Sequence, residues 1–95
     1  MSKQDAYKQN INSQIDALVA DIDKLKAKAD GAEADTKIEY HEQIEELEDM
    51  QKKASTKLDE LDKASDDAWE DLASGVDSAL DSLSKAIDSS IDRFK

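Results

Sequence analysis

Ninety-five residues with 38% apolar and 4% aromatic side chains make one domain at most, with too little apolar mass for a wide globular core. A net charge of −11 turns the surface against phosphate backbones and anionic lipid, so neither nucleic acid nor membrane is an expected partner. Cysteine is absent, which removes disulfide and thiol chemistry.

The remaining composition leaves two classes. Charged residues are 39%, proline is missing, glycine occurs twice and mean hydropathy is −0.80. Long helices with a narrow apolar seam fit this profile, and so does a disordered acidic chain. The spacing of the apolar residues decides for helices, because a disordered tail has no reason to place Leu and Ile every third or fourth residue. The acidity itself is uneven. Residues 1–30 are neutral, with five Lys against five Asp; residues 31–60 carry −6 and residues 61–95 carry −5. A cation-collecting surface or a basic partner suits this charge, and simple solubility suits it as well.

The chain opens on Met1-Ser2-Lys3-Gln4, which is polar and leads into no apolar run, so no signal peptide is expected. No apolar stretch approaches membrane-spanning length, and a cytoplasmic protein is the expectation. Ser2 and Asp5 form a plausible capping pair for a first helix over 3–29. Tyr7, Ile11, Ile15, Leu18, Ile22, Leu25 and Ala29 follow at helical spacing on one face.

Asp30-Gly31 predicts a turn over 30–33, with Gly31 ending the first helix in the left-handed region. Asp30 or Asp35 caps the next helix, and Thr36 with Glu39 offers a capping box. A tight hairpin there sets Leu18 near Ile44, Ile15 near Leu47, and Ile11 near Gln51 or Ala54.

From Gln43 onward the chain repeats every eleven residues. One row is Leu47, Leu58, Trp69, Leu80 and Ile91; another is Met50, Leu61, Leu72, Leu83 and Phe94. A weaker third is Gln43, Ala54, Ser65, Val76 and Ile87. Eleven residues in three turns is about 3.67 per turn, close to the α-helix, so the rows stack into one stripe. The fold expected is all-α: an antiparallel helical hairpin or coiled coil with a long second helix, in a single domain over 1–95.

Gly75 admits two readings. Either a helix over 34–73 ends there and a third runs over 76–94, capped by Ser74 with Asp77, or one helix of about 90 Å continues through it. In the first case Val76, Leu80, Leu83 and Ile87 fold back on Leu61, Ala64, Ala68, Trp69 and Leu72. In the second the stripe beyond residue 58 outruns the first helix and demands another copy. The interface expected there comprises Leu47, Leu58, Leu61, Trp69, Leu72, Leu80, Leu83, Ile87 and Ile91.

Chemistry-bearing residues are sparse. His41 is the only histidine, and with Glu45 four residues on it forms a weak metal candidate, with no second histidine to complete a site. Asp77, Asp81, Asp88 and Asp92 share a face among serines without the loop of a calcium site. No nucleophile–base–orienter set can be assembled, so no catalytic residue and no cofactor are expected.

The segments Tyr40-His41-Glu42-Gln43-Ile44-Glu45-Glu46-Leu47, Ala68-Trp69-Glu70-Asp71-Leu72 and Gly75-Val76 resemble a group of small acidic bacterial coiled-coil proteins, often described as stress-response proteins. The resemblance implies an α-helical, soluble, non-enzymatic protein and carries no catalytic residues. The function expected is that of a structural or interaction protein forming a homo-oligomer, dimer or higher, with a stress-related role. The alternatives are an amphipathic surface-binding or desiccation-protectant-like helix, and a weak acidic cation or metal buffer. Residues 64–84 lack the Lys and Arg that normally flank a lipid-binding face.

Overall fold

A computed structural model describes residues 3–94. They form three helices of nearly equal length: α1 (Lys3–Asp30), α2 (Ala34–Asp62) and α3 (Asp66–Arg93). Each helix contacts both others, in a rod of 50 × 19 × 17 Å. The first helix occurs as its apolar spacing predicts; the Ser2 capping pair lies outside the described residues.

The second turn falls at Lys63-Ala64-Ser65, not at Gly75, and the helix expected over 34–73 stops at Asp62. Ser65 is extended (φ −71°, ψ 162°) and its carbonyl accepts the Ala68 amide, while Asp66 and Asp67 occupy the positive first turn of α3. This break conserves the eleven-residue register, because Leu58 to Trp69 and Leu61 to Leu72 step across the turn in phase. It also gives α2 and α3 matched lengths, so most of the stripe of each is covered, Ile91 excepted.

Gly75 and Ser74 are interior to α3, so the Ser74–Asp77 pair caps nothing. A Cβ at position 75 would meet only the Lys57 ammonium group at 3.7 Å, an ordinary contact with a flexible partner. Gly75→Ala therefore removes the backbone freedom of a helical glycine without a clash. It is expected to stabilise the fold by about 1 kcal/mol, raising Tm by about 4–8 °C in a thermal melt.

At the first turn, Gly31 does not enter the left-handed region. A tight turn with the Ala32 amide on the Ala29 carbonyl closes α1 instead. Glu33, rather than Asp30 or Asp35, stands at the cap of α2 and makes no side-chain capping bond; Thr36 already lies inside the helix.

Two clusters fill the core. Far from the first turn, Ile11 and Ile15 pack with Ala54, Leu58, Leu61, Ala73, Val76 and Leu80. Near it, Ile22, Leu25 and Ala29 pack with Ile44, Leu47, Leu83, Ile87 and Phe94. Leu18 touches both. Ile11 and Ala54 share a cluster and Leu18 packs on the one that holds Ile44, as the hairpin predicts, but Ile15 falls in the cluster of Ala54 and Leu58 and not with Leu47. Side chains lean toward the N-terminus of their own helix. In an antiparallel pair the α1 residue of a contact must then stand nearer the loop and the α2 residue farther from it. Lys26–Glu48 at 3.2 Å and Lys8–Asp62 at 2.8 Å follow the register of Ile15 with Leu58.

Candidate interaction surface

Six of the nine expected interface residues lie in the chain's own core: Leu47, Leu58, Leu61, Leu80, Leu83 and Ile87. The stripe beyond residue 58 is covered by α3 folding back after Ser65. Trp69 and Leu72 are partly buried against the far cluster. Of the nine, Ile91 stays exposed, at 39%; the other exposed large apolar residue among the described residues is Ile38, at 62%.

Trp69 stands edge-on to Tyr7, with ring centroids 5.2 Å apart at 72°. The Tyr7 hydroxyl sits 2.6 Å from Asp77 Oδ1 and 2.9 Å from the Ala73 carbonyl, so its single proton is shared between two acceptors. Burial, and then donation to the Asp77 carboxylate, hold this phenol well above the usual tyrosine range. Asp77, expected among a row of hydrated acids, is thereby a structural acceptor joining α3 to α1. The Trp69 indole N–H is buried without an acceptor among the described residues. Trp69 is an anchor of the α1–α3 contact.

His41 sits beside the first turn. Its Nε2 lies 3.6 Å from Asp30 Oδ1 across the first turn, with both side chains exposed. Among the described residues no three His, Cys, Asp or Glu side chains converge, so the His41–Glu45 pair acquires no third donor. Asp81 pairs with Lys85 at 3.0 Å along α3, and Lys8 is raised above its usual range by its bond to Asp62.

Clefts open between α2 and the end of α3, of about 390 Å³ beside Tyr40 and Phe94, and along the seam between α1 and α3. These helices run parallel, because two reversals separate them, and Tyr7 reaches Ala73, 66 residues on. Midway along the seam a cleft of about 430 Å³ is lined by Gln14, Ala17 and Leu18 of α1 and by Asp77, Leu80, Asp81 and Ser84 of α3. Farther toward the first turn lies a second cleft, of about 200 Å³, where Ile91 faces Asp21, Lys24, Leu25 and Lys28. Sequence reasoning named Leu80 and Ile91 but missed Ala17, Lys24 and Lys28. The available signal was the small side chain at position 17, beside Leu18 on the edge of the α1 apolar face.

At the turn end, residues 93–94 clasp α2. Phe94 stacks on Tyr40 with centroids 3.8 Å apart and planes 18° from parallel. The Tyr40 hydroxyl donates to the Arg93 carbonyl at 3.2 Å, and Arg93 Nη1 donates to Gln43 Oε1 at 3.1 Å. Ser90, buried just before the clasp, satisfies its hydroxyl on the Ala86 carbonyl at 2.9 Å.

Comparison with protein-family models, with curated proteins and with solved structures finds no match to the chain. No described helix is long and apolar enough to cross a membrane.

Proposed function

We propose that this chain is a non-enzymatic structural or interaction protein of the cytoplasm that works by associating with copies of itself. The observation supporting the reading is the α1–α3 seam. Most of the apolar stripe is spent on closing the bundle, yet the α1–α3 edge retains a cleft and, farther along it, an exposed Ile91.

The likeness to acidic stress-response coiled-coil proteins supports a role of the same non-catalytic kind. The surface-binding alternative loses its motive, since the amphipathic stripe faces inward and its exposure would require opening the core. The net charge of −11 opposes self-association over long range, so the contact is expected to be weak and to need physiological salt. Light scattering over a wide concentration range, with circular dichroism on the same samples, tests the reading. A mass rising toward twice 10.5 kDa at unchanged helicity supports it, and a helical monomer at every concentration overturns it.

A further inference from the structure

We propose that two copies of the chain exchange α3: the turn at 63–65 opens, α2 and α3 join into one helix, and each copy's α3 closes the bundle of the other. The proposal rests on the self-association reading and gives it a route that does not use the α1–α3 edge.

The observation that carries it is the phase of the repeat across the second turn. Leu58, Leu61, Ser65, Trp69, Leu72 and Val76 follow one another at steps of 3, 4, 4, 3 and 4, the spacing of an eleven-residue repeat on a continuous helix. A closed bundle requires no such phase, because a turn lets each helix orient its own apolar face. The first turn shows that freedom. Carried eleven residues toward the N-terminus from Gln43, Leu47 and Met50, the rows fall on Ala32, Thr36 and Glu39. Eleven residues further they fall on Asp21, Leu25 and Lys28, and of these six positions Leu25 alone belongs to the core.

An exchanged dimer does require the phase. Its two-fold axis passes through the hinges, the two long helices run antiparallel, and both α1 helices lie on the same side of that pair. The stripe of each long helix must therefore keep one face from α2 into α3. The contacts of α3 are then remade by the other copy, including the bond from Tyr7 to Asp77 and the stack of Phe94 on Tyr40. Exchange of an identical element is a low-cost route to a dimer for that reason.

The hinge is suited to straightening. It holds no glycine or proline, and no described residue has positive φ. Lys63 is already in the right-handed helical region, and Ser65, at φ −71°, departs from a helix in ψ alone, at 162°. Ser65 makes no side-chain capping bond that opening would break. Asp62, Asp66 and Asp67 of both copies gather at the axis with Lys63, so salt is expected to favour the exchange.

Asp66→Pro and Ser65→Ala test the proposal from opposite sides. Asp66 is the first residue of α3 and follows an extended residue, so proline fits the closed form there. In the opened form that proline stands inside a long helix in both copies, and is expected to weaken dimerisation at least about a hundredfold. Ser65→Ala favours helix through the hinge and is expected to tighten dimerisation about fivefold. Light scattering gives the mass, circular dichroism the helicity and small-angle X-ray scattering the length. One helix over 34–93 is about 90 Å long, against 50 Å for the closed rod.

A dimer about 90 Å long, lost in Asp66→Pro with helicity kept and tightened in Ser65→Ala, supports the proposal. A dimer that survives Asp66→Pro, or one no longer than the closed rod, overturns it and leaves self-association standing. Should Asp66→Pro lose helicity, Ser65→Ala decides: a dimer that it does not tighten overturns the exchange. An unaltered chain that stays monomeric at every concentration overturns both readings.

Discussion

Leu61→Asp is expected to unfold the bundle at neutral pH. Leu61 is 1% exposed, among Ile11, Leu58, Val76 and Leu80. The substitution removes about 1.5–3 kcal/mol of burial and places an unpaired carboxylate in the far cluster, at about 3–5 kcal/mol more. Lys8, one of the cations at that end, is already committed to Asp62 at 2.8 Å. The combined loss is comparable to the whole stability of an ordinary domain, about 5–15 kcal/mol. Acid is expected to reverse it. Burial raises the folded-state pKa of such an aspartate above its unfolded value near 3.9, so the native state is favoured below that pH and lost as pH rises through the folded value. Circular dichroism of Leu61→Asp should therefore show a coil at pH 7 and recovered helix near pH 4. Wild-type melting behaviour at pH 7 would contradict the placement of Leu61 in the core.

The same residue shows how far the sequence could be read. Its stripe identified Leu61 as a seam position, and periodicity alone could not say whether the seam closed on α3 or on another copy. The undecided quantity was the second turn. Gly75 drew attention because glycine is the strongest local breaker, yet one helical glycine costs only about 1 kcal/mol. That is small beside the burial gained when α2 and α3 match in length. Ser65-Asp66-Asp67 carried the true signal, an extended polar residue ahead of an acidic first turn, hidden by a repeat that passes through the break in phase. The apolar face of α1, from Ile11 to Ala29, was legible because a 3.6-residue period needs no tertiary information. The seam was not. Ala17, Lys24 and Lys28 acquire meaning only when α3 is laid parallel to α1, and the helix lengths that set this depend on the turn at 63–65. The hairpin register was legible in part: Ile11 shares a cluster with Ala54 and Leu18 packs on the one that holds Ile44, while Ile15 and Leu47 fall in different clusters. Cα positions mirror about the loop, but the side chains that touch do not.

Phe94→Ala is expected to cost about 3 kcal/mol and to lower Tm by about 12–24 °C, a large effect for a residue so near a terminus. Terminal residues ordinarily fray, because few contacts offset the entropy of ordering them. Phe94 differs in being buried in the near cluster and stacked on Tyr40. Its loss opens a void beside Ile44 and Ile87 and leaves Arg93 to hold α3 through exposed bonds to Tyr40 and Gln43. The effect should be local before it is global. Hydrogen exchange should lose protection over 83–93 first, while amides of 66–80, secured by Tyr7 on Ala73 and Asp77, stay protected until the bundle melts. Tyr40→Phe separates the two parts of the clasp. It keeps the stack and loses only the exposed bond to the Arg93 carbonyl, at about 1 kcal/mol. Equal destabilisation by the two variants would mean that the hydrogen bond, not the buried ring, fastens α3. A Phe94→Ala melt within about 2 °C of wild type would remove the clasp from the account of stability altogether.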